Sequence, residues 1–176
     1  MTERIVTDLT NESFDVFRMF DRQWALAAAG TAADCNTMTI GWGTLGTIWG
    51  PPAKGKQIVT VFLRENRYTL EYVNRNERFT VSFFPDRYRK AMGVLGSVSG
   101  RDDPAKITRA GLTPEDLSGT VTFAEADRIF VCRKLFVQRM EPDNIVSDIR
   151  DRMYANAEAH VMVIGEIEQY IDRRDA

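Results

Sequence analysis

The segment spanning residues 36–52 constrains the fold of this chain more than any other stretch. It is rich in β-forming side chains, yet glycine interrupts it at Gly41, Gly43, Gly46 and Gly50 before two prolines close it. Glycine inside a strand usually marks a bulge, a bend or the close approach of another backbone or a ligand. Two interpretations stay open at this point: an ordinary glycine-rich hairpin, or a strand edge against which something flat lies.

Composition limits the class of protein. The 176 residues, 44% hydrophobic and 27% charged, fit a single globular domain spanning residues 1–176. The formal net charge of -2, with acids and bases interleaved, argues against a nucleic-acid partner. No apolar run approaches the ~18 residues of a membrane span, and the N-terminus lacks the apolar core of a signal peptide. We therefore predict a cytoplasmic protein without a membrane partner.

Several kinds of chemistry have no motif in this sequence. Cys35 and Cys132 form no CxxC pair, and the chain has one histidine, so neither a disulfide scaffold nor a metal site is predicted. There is no GxGxxG fingerprint, no Walker A loop and no GxSxG elbow. Any redox chemistry would therefore need a bound cofactor.

Short apolar runs separated by polar turns predict a mainly β fold. We predict strands at residues 24–29, 36–42, 58–63, 78–83, 120–123, 128–138 and 159–167, the last continuing towards Ile171. Helices are predicted at 11–20, where Phe14, Phe17 and Phe20 have helical spacing, after Thr69, from Pro85 to Gly96, and at 143–154. Because the helices are brief and hairpin-like strand pairs dominate, we expect an antiparallel barrel with peripheral helices.

The predicted strand 128–138 is apolar on both faces. Ile129 and Val131 point to one side, while Phe130 and Cys132 point to the other. Such a strand must be covered on both sides, by the core and by a helix or a second subunit.

Two basic segments could bind an anion. Arg64 and Arg67 lie on a turn before a predicted helix start, where free N–H groups also favour negative charge. A second loop combines hydroxyls, glycine and cations in Ser97, Ser99, Gly100, Arg101 and Lys106. A phosphomonoester requires this mixture of donors. The alternative is that the arginines form surface ion pairs with neighbouring carboxylates.

The last strand carries two further candidates. His160 begins it, and a lone histidine in a strand is more often a structural hydrogen-bonding group than a catalyst. Glu166 is either an outward-facing charge or a buried group with a partner.

Taken in order, a set of short motifs resembles a known family. The motifs are residues 36–43, 46–49, 67–69, 79–84, 99–102 with Lys106, 132–134, and His160 followed by 164–167. Together they are similar to the flavin reductase-like proteins of the FMN-binding split-barrel superfamily, in the flavoredoxin-like branch. The resemblance extends from about Trp24 to Ile167.

The resemblance implies a six-stranded antiparallel Greek-key split barrel, assembled as a homodimer with FMN at or near the interface. It implies that the isoalloxazine ring lies along Asn36, Thr37, Met38, Thr39, Gly41 and Trp42. It assigns the phosphate and ribityl contacts to Arg67, Thr69, Ser99, Gly100, Arg101 and Lys106. It places His160 near the flavin, as a candidate catalytic residue. Two positions depart from the family pattern: Gly41 replaces a common serine, and Glu158 replaces a common aspartate.

The function implied by the resemblance is an oxidoreductase of the flavin reductase type. Hydride would pass from NAD(P)H to the flavin N5 atom, and electrons would pass on to an acceptor. The alternative is an FMN-binding electron carrier or flavin-storage protein that does not oxidise NAD(P)H itself. A barrel that binds another small ligand is the third possibility.

Overall fold

A computed structural model describes residues 3–174. The strands are β1 (Arg4–Val6), β2 (Ala25–Gly30), β3 (Cys35–Ile40), β4 (Gly43–Ile48), β5 (Lys56–Arg64), β6 (Arg78–Phe83), β7 (Pro114–Leu117), β8 (Thr120–Phe123), β9 (Arg128–Arg139) and β10 (His160–Asp172). The helices are α1 (Tyr68–Arg75), α2 (Arg89–Ser97), α3 (Lys106–Arg109) and α4 (Ser147–Met153), with a π-helical segment at Arg18–Gln23 and short 3-10 turns at Asp86–Tyr88 and Pro142–Asn144.

One antiparallel sheet organises the molecule. Its strands follow the order β3-β2-β6-β9-β10-β5-β4, β1 pairs with β10, and β7 and β8 form a separate hairpin. The predicted class, mainly β with an antiparallel sheet and few helices, is confirmed. Within residues 3–174 this sheet has eight strands, whereas the predicted barrel had six.

The glycine-rich segment 36–52 is divided between the two ends of this strand order. β3 pairs with β2 and β4 pairs with β5, and only Gly41 and Trp42 separate β3 from β4 in the chain. The prolines lie in the loop of the β4–β5 hairpin. The second half of the segment therefore forms a hairpin with β5, and its first half lies at an end of the strand order.

Two apolar clusters cover the strand β9. Phe130 and Cys132 pack into the main core inside the sheet, while Ile129 and Val131 pack into a second cluster. The second cluster is completed by residues of α2, α3 and the β7–β8 hairpin. For this half of the strand, the cover anticipated from the sequence is therefore supplied by the same chain.

The first predicted helix is the clearest error. Helical structure begins at residue 16 instead of residue 11 and runs through the π-helical segment Arg18–Gln23. Phe14 precedes it and packs edge-on against the rings of Phe130 and Tyr170. Phe17 is 89% exposed, so the three phenylalanines do not share one buried helical face. The wider π turn changes the angular spacing of side chains on which that prediction depended.

Candidate functional site

Lys106 provides a buried positive charge at the start of α3. Its side chain is 2% exposed, and Nζ donates hydrogen bonds to the carbonyl oxygens of Thr37 (2.7 Å) and Val98 (3.0 Å). Burial, followed by repulsion from Arg67, lowers its pKa from 10.5 to about 8. An ammonium group has three donors, and both of these partners are neutral. A buried anion is therefore the partner that this charge lacks.

Arg67 supplies a second cation, directly before α1. Its Nε atom is buried and has no hydrogen-bond partner among residues 3–174. Its charge lowers the pKa of both Lys106 and His160, so the guanidinium lies close to both. A guanidinium N–H that is withdrawn from water and left unpaired is costly. The first turn of α1 adds free backbone N–H groups beside it.

Asn36, Thr69 and Gly100 bring β3, α1 and the loop before α3 together. Asn36 Nδ2 donates to Thr69 Oγ1 at 2.8 Å, and both residues are buried. A Cβ atom at position 100 would overlap Asn36 Oδ1, so only glycine allows the loop to approach β3 this closely. Asn36 and Gly100 line a cavity of about 460 Å³ together with Tyr68, Arg101 and Lys106.

Arg101 and Ser99 are less available than Lys106 and Arg67. The Arg101 guanidinium lies 4.6 Å from the centre of the Tyr68 ring and forms an ion pair with Glu71. Its side chain is 54% exposed. Ser99 Oγ accepts a hydrogen bond from the Arg101 backbone N–H at 3.2 Å. The surface ion pair considered as an alternative for these arginines is thus present at Arg101.

Two threonine hydroxyls of β3 are already hydrogen-bonded within the protein. Thr37 Oγ1 donates to the carbonyl of Ala27 (2.8 Å), and Thr39 Oγ1 donates to that of Met92 (2.6 Å). Met38 packs against the main core. Within residues 3–174, β3 ends the strand order, so its outer edge is not paired with another strand. Apart from the Thr37 carbonyl that Lys106 binds, backbone N–H and C=O groups on that edge could bind a ligand.

His160 and Trp42 form the other end of the site. Their ring centres are 4.4 Å apart, with a 33° angle between the planes. Trp42 is 43% exposed, whereas His160 is buried. His160 Nδ1 lies 2.8 Å from Tyr154 Oη. Burial, and then the charges of Arg64 and Arg67, lower the His160 pKa to about 4, so the imidazole is neutral at pH 7.

An apolar groove begins beside Trp42. It has a volume of about 630 Å³. Its lining residues include Phe17, Phe20, Trp42, Phe62 and Met140. Gly43 must lack a side chain here, because a Cβ atom would overlap the ring of Phe20. The groove therefore offers apolar surface beside Trp42, whose ring lies against that of His160.

The structure thus gathers most of the predicted residues into two groups linked by β3 and Arg67. The cationic group comprises Arg67 and Lys106 with Asn36, Thr69 and Gly100, and the aromatic group comprises Trp42 and His160. Glu166 lies outside both and binds Lys56 and Arg133. Tyr154 was not predicted, because only the fold brings it to His160.

Two further classes of site were sought in the described part of the chain. No helix within residues 3–174 is both long and apolar enough to cross a membrane. The same residues contain no group of three or more His, Cys, Asp or Glu side chains that could hold a metal ion.

The fold and the site define an antiparallel β protein with buried cations beside the start of β3 and an aromatic groove beyond its end. The chain belongs to the flavin reductase like domain family, whose model matches residues 17–176. A search of curated proteins finds no match.

Solved structures with the same fold come from bacteria and an archaeon. An FMN-binding domain of a flavin reductases-like enzyme from Shewanella baltica OS155 is 18% identical, with a TM-score of 0.66, covering 98% of this chain and 78% of that one. Flavoredoxin from Methanosarcina acetivorans is 18% identical, with a TM-score of 0.63, covering 95% and 75%. Nitrilotriacetate monooxygenase component B from Bacillus cereus is 15% identical, with a TM-score of 0.61, covering 94% and 80%.

Proposed function

We propose that this protein is an FMN-binding oxidoreductase of the flavin reductase type, which uses NAD(P)H as its electron donor. The observation that carries the proposal is the pairing of Lys106 and Arg67 at one end of β3 with Trp42 and His160 at the other. FMN has the matching asymmetry of a phosphate at one end and a flat ring at the other.

The cationic group fits the phosphate. Phosphate oxygens accept several charge-assisted hydrogen bonds. Among residues 3–174, neither the Arg67 Nε–H nor the Lys106 ammonium has an acidic partner at hydrogen-bond distance. Asn36, Thr69 and Gly100 form the adjoining wall, while Ser99 and Arg101 lie at its exposed side. The phosphate therefore has donors from three separate elements.

The other end of β3 suits the isoalloxazine ring. Its carbonyls and ring nitrogens would meet the free backbone edge near Met38, Thr39 and Gly41, and Trp42 would provide apolar contact. The bound cofactor supplies hydride and electron transfer. The chain's own residues orient the ring and exclude water, and neutral His160 offers a hydrogen bond without adding charge.

An anaerobic titration tests this function. Purified protein should bind added FMN and retain it through gel filtration, and NADH or NADPH should bleach the flavin absorption. Failure to bind FMN would contradict the proposal and favour a barrel for another small ligand. The two nicotinamides are compared separately, because the chain carries no dinucleotide fingerprint from which to choose between them.

A second candidate is an FMN-binding electron carrier, which the likeness to a flavoredoxin favours. In that case a chemical reductant such as dithionite would bleach the bound flavin, whereas NADH and NADPH would both fail. Stopped-flow absorption separates the two candidates in a single set of mixing experiments.

We also propose a homodimer with the flavin near its interface. Trp42, Trp49 and Val137 are 43%, 51% and 38% exposed, and Trp49 lies beside Phe136 on the outer half of β9. Large exposed apolar side chains are enriched at protein interfaces. Sedimentation equilibrium should give twice the chain mass of 20.0 kDa. A monomer at micromolar concentration would contradict the dimer without affecting the FMN site.

A further inference from the structure

Tyr154 makes a specific contact with the only histidine of the chain. It directly follows α4, and its backbone N–H is held by the carbonyl of Arg150 at 2.8 Å. From there its hydroxyl reaches His160 Nδ1 at 2.8 Å, and the two rings meet edge to face, with their centres 5.7 Å apart. His160 is therefore held from one side by Tyr154 and covered on another by Trp42.

This geometry favours one of the two positions for the proton of neutral His160. A neutral imidazole has one N–H donor and one acceptor nitrogen, and the hydrogen bond at one nitrogen selects the form at the other. Within residues 3–174, the Tyr154 hydroxyl makes no hydrogen bond except the one to Nδ1. If Nδ1 were the donor, the tyrosine proton would have no acceptor among residues 3–174. The arrangement that satisfies both groups has Tyr154 donating to Nδ1.

We propose that Tyr154 is a positioning residue that fixes His160 as the Nε2–H form and turns this N–H towards a flavin ring bound beside Trp42. The inference rests on the proposed FMN site. Nε2 points away from the nitrogen bound to Tyr154, and it makes no hydrogen bond within residues 3–174. It is therefore the donor that His160 can offer to a carbonyl or nitrogen of the ring.

The charges around His160 favour its neutral form at physiological pH, so the position of the single ring proton matters there. Arg64 faces it across the β10–β5 ladder, and Arg67 lies nearby on the turn before α1. Together with burial they keep the ring uncharged at pH 7. On the α4 side the facing group is the Tyr154 hydroxyl, and Glu158 contributes a backbone carbonyl that binds Arg64. The site thus presents a donor without a full positive charge.

Nitrogen NMR tests the inference directly, because every imidazole signal belongs to His160. Long-range proton–nitrogen spectra of the labelled protein at pH 7 should show the Nε2–H form. In Tyr154→Phe, the ratio of the Nε2–H to the Nδ1–H form should fall about fivefold, which corresponds to one hydrogen bond of about 1 kcal/mol. Tyr88→Phe is the matched control, because no hydrogen bond of its hydroxyl occurs within the described residues.

Each outcome decides a separate point. A wild-type protein in the Nδ1–H form, or an unchanged ratio in Tyr154→Phe, would overturn the role of Tyr154. Saturating FMN should shift the Nε2 signals more than the Nδ1 signals. If the Nε2 signals do not shift, the proposed orientation of Nε2–H towards the ring is overturned. If FMN does not bind at all, the proposed function fails, while the ratio in the free protein still decides the tautomer.

Discussion

Raising the pH from 7 to 9 removes the charge of Lys106 before that of an ordinary lysine, because burial and then the charge of Arg67 lower its pKa from 10.5 to about 8. Asp103 opposes this shift only in part. A bound phosphate would stabilise the ammonium form and raise the pKa again. FMN should therefore bind more weakly as the free protein loses this proton.

The size of the effect follows from the pKa. With a value of about 8 in the free protein, the charged fraction falls from roughly nine-tenths at pH 7 to roughly one-tenth at pH 9. If only the charged form binds the phosphate, the Kd for FMN rises about tenfold, or about 1.4 kcal/mol. The FMN phosphate itself stays doubly ionised over this range, because its second pKa is near 6. Riboflavin lacks the phosphate and should show no such rise.

Flavin fluorescence titrations at pH 7, 8 and 9 measure both constants. Lys106→Met should weaken FMN at pH 7 and abolish the pH dependence. Lys134→Met is the matched control, because Lys134 Nζ likewise binds two backbone carbonyls, those of Val73 and Asn74, at the other end of α1. An FMN constant that stays flat from pH 7 to 9, or a riboflavin constant that rises equally, would refute the assignment of Lys106 to the phosphate.

Three further sets of substitutions test other parts of the structure. Arg67→Ala should weaken FMN binding about tenfold or more, with little change in riboflavin binding. Arg101→Ala should weaken FMN binding less, because Glu71 already pairs with Arg101. The opposite ranking of the two variants in the same titrations would contradict the site. Gly41→Ser should tighten the binding of FMN and riboflavin by a few-fold through one new hydrogen bond. A Cβ atom at position 41 would lie 3.4 Å from Trp24, so the serine fits. Weaker binding of both flavins would show that the ring does not pass Gly41. Gly165→Ala should lower the free energy of unfolding by about 1–3 kcal/mol, because its Cβ would lie 2.7 Å from the Phe79 ring. Gly93→Ala in α2, where no such contact exists, should not destabilise the protein in the same urea denaturation.

Much of the sheet could be predicted because most of its strands carry a recognisable local sequence pattern. Alternating or continuous β-branched and aromatic residues predicted β5, β6, β9 and β10 within a few residues. Three strands were not predicted. β4 lies in the glycine-rich segment, where Gly43 and Gly46 interrupt the strand pattern. β1 has just three residues, and β7 begins at a proline, so neither carries enough pattern to be recognised.

The composition of the site was more predictable than its geometry. A basic turn before a helix and a basic, hydroxyl-rich loop are visible in the sequence as candidates for an anion site. The burial of Lys106 is not, because lysine is usually exposed and the fold is needed to bring Nζ to the carbonyls of Thr37 and Val98. The contact between the Trp42 and His160 rings was likewise not predictable, because it requires the turn after β3 to meet the start of β10.

The length of β3 also limits which ligands could contact both ends of the site. Asn36 at the cationic end and Trp42 at the aromatic end are joined by one nearly continuous extended segment, which spans roughly 20 Å at the rise of a strand. Because successive side chains alternate between faces, one inserted residue would change this length and also turn the following side chains over. If the proposed site binds FMN, the span of the ligand would therefore matter as well as the chemistry of its two ends, and a longer or shorter tail between ring and phosphate would reach only one end at a time.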